Sequence, residues 1–180
     1  MTVSIIDHLL NLTQSIIYWL RNTSYEKDGE TKTLRQWLVD EGSIADLPVI
    51  VGFPDSLQHL SLPTLSLVRT LTPATSRRTY NDEINEILAN YTLFGFAGGF
   101  PDDSRNQRQR DQLAWDIKQL MEDTETIDVF SVAVDGTLDT SVVVNTAEFM
   151  NVSERPIPVT GLTAGDRWRF AIDFSVSMIR

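Results

Sequence analysis

Trp168-Arg169-Phe170-Ala171-Ile172-Asp173-Phe174-Ser175-Val176-Ser177-Met178 decides the fold. Every second residue is apolar: Trp168, Phe170, Ile172, Phe174, Val176 and Met178. A helix would scatter these side chains around its circumference, whereas a strand sorts them onto one face. The period of two holds over eleven residues, so this stretch predicts a long strand with one face in a core.

Working outward, the other apolar pattern is helical. Over residues 3–21, Ile5, Leu9, Leu12, Ile16 and Leu20 recur at the helical period, with Ile6, Leu10, Ile17 and Trp19 beside them. Thr2 or Ser4 is placed to cap this helix, and Asn22-Thr23-Ser24 to end it. A second helix begins after Gly98-Gly99-Phe100-Pro101, with Asp102 or Asp103 as N-cap, and runs to about Glu122. Its apolar face is Leu113, Ala114, Ile117, Leu120 and Met121. Strands are predicted at 47–53 (Val49, Val51 and Phe53 on one face), 64–71, 90–97, 127–134 and 141–150. Residues 33–40 suit a short helix or a strand, and residues 81–89 a helical turn or the start of a long strand. Asp28-Gly29 and Asp135-Gly136 are turn dipeptides. Residues 25–31 read as a polar loop, 57–62 as a loop, 73–78 as a polar turn, and Pro156 to Gly165 as irregular. Strands come in runs, not in alternation with helices. That order predicts an α+β fold, a mainly antiparallel sheet flanked by the N-terminal helix and the second amphipathic helix. A chain of 180 residues fits a single domain, 1–180.

Composition narrows the function classes. There is no cysteine, which removes disulfides, thiol catalysis and iron–sulfur ligation. No apolar run approaches the ~20 residues of a membrane span, and the first residues lack a basic signal-peptide start. The expected location has no membrane. The net charge of −10 disfavours gripping nucleic acid, because affinity there follows the number of phosphates neutralised. The same charge suits a wall along which DNA passes without sticking.

Catalytic signatures are weak. His8 and His59 are the only histidines, and a metal site built on either would need further ligands arriving from elsewhere in the fold, which spacing cannot show. No Gly-x-Ser-x-Gly elbow occurs. Asp102, Asp103 and Asp111 resemble a carboxylate cluster, but the first two are better read as helix caps. Asp135 and Asp139 lack the rest of a calcium loop. Gly95-Phe96-Ala97-Gly98-Gly99 stands where a phosphate loop would, yet it fits neither phosphate-binding spacing and is followed by two aspartates. The expectation is no catalytic residue, no metal and no cofactor. The basic clusters are Arg77 and Arg78, then Arg105, Arg108 and Arg110. They are solvated faces or an interface toward an acidic neighbour such as another copy of this chain. The leucines of 57–67, and Ile157, Val159 and Leu162, are either satellite core or contact loops.

These elements together resemble the tail-terminator and neck (head–tail joining) proteins of tailed bacteriophages. The resemblance rests on the helix from Ile5 to Leu20, on Asn90-Tyr91-Thr92-Leu93-Phe94-Gly95-Phe96-Ala97, on the helix from Arg105 to Ile117 leading into Ile127-Asp128-Val129-Phe130, and on the closing strand. Residues 25–31, 73–89 and the break at 98–101 depart from the family pattern. The resemblance implies a structural virion protein and not an enzyme. It would be a homo-oligomer, a hexameric ring at the head-proximal end of the tail. Its partners would be the tail tube protein and the neck or connector proteins. Assembled in the host cytoplasm, the ring would let genomic DNA pass. A head–tail adaptor is the neighbouring expectation, and a small hydrolase or ligand-binding domain the one from another class.

Overall fold

The computed structural model describes residues 5–40, 47–51, 62–70, 75–78, 84–155, 157 and 168–179; the side chains of 5–7, 75–78, 84–86 and 179 fall outside that description. The elements run α1 (Ile5–Asn22), β1 (Ser24–Lys27), β2 (Glu30–Thr33), α2 (Leu34–Asp40), β3 (Val49–Val51), β4 (Thr64–Arg69), β5 (Thr75–Arg78), β6 (Ile84–Phe96), α3 (Asp103–Asp123), β7 (Ile127–Val132), β8 (Leu138–Arg155) and β9 (Arg169–Ile179). This is the expected α+β fold.

Seven strands form one sheet in the order β3-β4-β6-β9-β8-β7, and β5 pairs with the N-terminal half of β6. All its pairings are antiparallel except β3 with β4. β9 lies at the centre. It is matched residue for residue to β6, from Glu86 opposite Ile179 to Phe96 opposite Arg169. Phe170, Ile172, Phe174, Val176 and Met178 are all buried on the face that meets the helices. Trp168 is only half-buried and stands just before the strand, so the buried stripe begins at Phe170.

The helices cover that face. α1 contributes Leu9, Leu12, Ile16 and Leu20, and α3 contributes Leu113, Ala114, Ile117, Leu120 and Met121, all to one cluster with Leu65, Leu67 and Leu93 of the sheet. Tyr91 stacks on Phe174 with ring centroids 5.7 Å apart. Its hydroxyl meets Thr13 Oγ1 at 3.0 Å. Thr13 already donates to the Leu9 carbonyl, so Tyr91 is the donor. Burial pushes the Tyr91 phenol above its ordinary pKa, which keeps that proton in place. The alternate residues of β9 are polar for a reason. Thr92 Oγ1 donates to Asp173 at 2.6 Å, Arg155 Nε donates to the same carboxylate at 2.8 Å, and Ser175 Oγ donates to Asn90 Oδ1 at 2.7 Å. The second face is also buried around β4, where Thr64, Ser66 and Val68 are shielded.

Several expectations need correction. Residues 73–78 are not all turn: 75–78 form β5 against β6. Ile84 to Phe96 is one thirteen-residue strand, which settles the choice left open at 81–89. The stretch at 25–31 is a hairpin, with Asp28 and Gly29 at φ 53 and 78, the two left-handed positions of a tight type I′ turn. Residues 34–40 are helical, started by a reciprocal cap: Gln36 N donates to Thr33 Oγ1 and Thr33 N to Gln36 Oε1. Val49 is buried but Val51 is exposed, so they do not share a core environment. Phe53, residues 57–61 of the predicted loop, His59 and the leucines of 57–61 lie outside the described residues, as do Thr2, Ser4, Val159 and Leu162.

Gly95 faces Phe170 across the ladder, and the Phe170 ring lies over its Cα. A Cβ on Gly95 would stand 2.0 Å from that ring. Gly95→Ala is therefore expected to destabilise the fold by roughly 1–3 kcal/mol, the usual range for overpacking a core. Urea denaturation of the variant checks it, and a paired Phe170→Leu change should recover part of the loss.

Candidate assembly surface

The Gly95–Gly99 stretch and the start of α3, whose sequence fits no phosphate-binding spacing, have side-chain partners for Gly98, Phe100 and Ser104 N–H. Asp102 is the N-cap, in extended conformation, and accepts from Ser104 N at 2.9 Å. Asn106 is buried and clamps Phe100, accepting from its N–H and donating to its carbonyl. Gln109, also buried, accepts from Gly98 N at 3.0 Å. Gly98 and Gly99 hold φ of 145 and 95, where other residues strain. The glycines thus serve a turn that α3 ties down, and no phosphate is needed to satisfy it. Among the described residues no three His, Asp or Glu side chains gather as a metal site. His8 is half-buried on α1.

The arginines do not converge on one point. Arg105 and Arg108 border a hollow of ≈ 240 Å³ with Phe100, Gln109 and Gln112. The Arg105 guanidinium sits 4.0 Å from the centre of the Phe100 ring. Arg110 points away: it pairs with Asp111 and lies 5.9 Å from the centre of the Trp168 ring. Arg77 and Arg78 fall on β5, with their side chains outside the described residues.

Further along α3, Trp115 is 61% exposed. It borders a larger hollow between α3 and the β1–β2 hairpin. The hairpin is fastened to α3 at Asp116, which accepts from Tyr25 and Lys27, each at 2.9 Å.

The β7–β8 arm is the second exposed feature. Asp135 and Gly136 turn it, with Asp135 Oδ1 accepting from Thr137 N. β8 is strongly bulged: Phe130 pairs with Val143 but Ser131 pairs with Asp139, so residues 140–142 loop out. Asp139 holds that loop by accepting from Ser141 N and Oγ. Among the described residues Leu138, Asp139, Val143 and Asn145 pair with β7 alone, and the pairing of β8 with β9 begins at Thr146. Val142, Val143 and Val144 are 45–51% exposed along this stretch, and Val134 stands fully out at the tip.

The other flank of the arm is closed by α1. Phe130 N donates to Ser15 Oγ at 2.9 Å, and Val132 N donates to Asn11 Oδ1 at 3.0 Å. Ser15 donates in turn to the Asn11 carbonyl, and Tyr18 meets Phe130 edge-on. Two buried polar side chains of an apolar helix thereby take up the N–H groups of an edge strand. The sequence signal was faint: a serine and an asparagine inside a hydrophobic stripe. No protein-family model matches the chain, and no curated protein matches it.

Ser15→Ala would leave Phe130 N–H buried without a partner, a loss of about 1–3 kcal/mol. Thermal melts and amide hydrogen exchange at Phe130 check this, since exchange should accelerate there more than in β9. Asp102→Ala tests the cap. Its hydrogen bonds to Ser104 hold the Asp102 carboxyl below its ordinary pKa of 3.8. A depressed folded pKa stabilises above the unfolded value and fades as pH falls through the folded one. The variant should melt below the parent at neutral pH, and the gap should close under strongly acidic conditions.

Proposed function

We propose that this chain is a structural virion protein of a tailed phage and not an enzyme. In this reading it closes into a homohexameric ring at the head-proximal end of the tail. The ring ends growth of the tail tube and docks the tail to the neck. The observation that carries the reading is the arm. Among the described residues this stretch of β8 has a pairing partner on one side only, and such an edge is a template for another chain. α1 closes the other flank, so the arm has a direction. A ring needs such a heterologous contact, in which one surface meets a different surface of the next copy.

Two further observations support it. The four exposed valines exceed what a lone surface residue requires, and contiguous apolar exposure marks contact sites. The net charge of −10 would line a lumen with repulsion toward DNA, so the genome could slide through without specific binding. Arg105 then serves as a basic point for an acidic neighbour. No cofactor enters this reading. No described helix is long and apolar enough to cross a membrane.

Light scattering with negative-stain imaging, alone and with purified tail tubes, tests it. Six copies of 20.3 kDa make about 122 kDa, expected as a ring with a central hole. Val143→Asp, at an exposed position, should keep the parent melting temperature and abolish ring closure. A twelve-copy ring would replace the terminator by a head–tail adaptor. A chain that stays monomeric even on tail tubes overturns the proposal.

A further inference from the structure

The outward face of α3 carries a charge pattern that inverts about its middle. Trp115 is the centre. Seven residues before it stands Arg108 and seven after it Glu122, both exposed and, at 3.6 residues per turn, both within about 20° of Trp115 around the helix. Asp111 precedes Trp115 by four residues and Lys118 follows it by three, on one shoulder of this face. Gln112 and Gln119 occupy the other shoulder. Each charge on one side of Trp115 thus has its opposite on the other.

We propose that α3 is a self-docking helix, on which two copies of this chain pair antiparallel about a two-fold axis passing beside Trp115. In an antiparallel pair, residues whose numbers sum to a constant face each other. With Trp115 opposite Trp115, that constant sets Arg108 opposite Glu122 of the second copy. On the flanks it sets Asp111 beside Lys118, and Gln112 beside Gln119. The two-fold axis keeps each shoulder facing its own equivalent, so the three pairings are compatible. Every one occurs twice, as an isologous contact requires.

The occupant is a second copy because the complementarity is internal. A foreign acidic or basic partner would match one end of α3 and repel the other. Within the single chain some of these charges already pair along the helix, and the second copy would extend those pairs. Glu122 is steered by Lys118 at 3.2 Å and by Gln119 at 3.0 Å. Asp111 keeps 56% of its side chain exposed beside Arg110. Arg108 has no ion pair among the described residues. Trp115 supplies the one large aromatic, the residue type that most often dominates an interface. The face is otherwise polar, so the pair is a weak, salt-sensitive dimer. It uses neither the arm nor ring closure and stands apart from the ring.

Sedimentation velocity of the full chain over a wide concentration range tests it, using Val143→Asp so that ring closure does not interfere. The expected result is a rise from 20.3 kDa toward twice that mass, reduced by salt. Trp115→Ala should weaken the dimer by at least about tenfold, as loss of a central aromatic anchor does. Arg108→Glu should weaken it too, and Arg108→Glu combined with Glu122→Arg should restore it. Circular dichroism melts control for folding, which these exposed positions leave intact. Because the chain lacks cysteine, a second readout is clean. A mixture of Gln112→Cys and Gln119→Cys chains should give a heterodimeric disulfide faster than either chain forms its own. A chain that remains monomeric, a dimer indifferent to Trp115→Ala and Arg108→Glu, or cysteines that cross-link without this preference would each overturn the proposal. Rings that form normally in Trp115→Ala while the dimer is lost separate this contact from ring closure.

Discussion

Eleven consecutive residue pairs join β6 to β9, and every other layer takes its position from them. Both strands are long, and a slip of one residue would turn Ile172, Phe174 and Val176 toward the polar ladder and Asp173 toward the helices. The pairing also explains the glycine. Gly95 is opposite Phe170, and only a residue without Cβ lets that ring lie flat on the ladder. Outward from this pair, β4 and β8 extend the sheet, and α1 and α3 find an apolar floor whose shape is already set.

Polar side chains then finish what hydrophobic burial begins. Burial is non-directional, so it brings α1 and α3 to the sheet without choosing their ends or edges. Asn11 and Ser15 choose the edge of β7, Asn106 and Gln109 hold the break before α3, and Asp116 fastens the β1–β2 hairpin. Each is a directional bond made where an unpaired group would be costly. Together they convert an amphipathic sandwich of helices on a sheet into one arrangement.

The surface left over is divided. The arm exposes valines along a strand edge, and α3 exposes one tryptophan within a patterned row of charges. Among the described residues no three His, Asp or Glu side chains gather there as a metal site. Both have the chemistry of protein contacts: apolar area with backbone donors in one case, charge register in the other.

The sequence by itself determined the two helices, the long closing strand and the α+β class, because apolar periodicity is a local property that survives any tertiary arrangement. It also marked Asp102 or Asp103 as a cap and Asp28-Gly29 as a turn, since both act within four residues. The candidate surface was legible only in part. Arg105 and Arg108 were visible as a pair on one helix face, but Arg110 belongs to Asp111 and Trp168. The exposure of Val142 to Val144 could not be read from a strand-forming sequence that looks the same in a core. The sealing of β7 by Asn11 and Ser15 spans 121 and 115 residues of chain. Only the tertiary structure decides such features, because they depend on which strand ends up at an edge, and no local pattern records that.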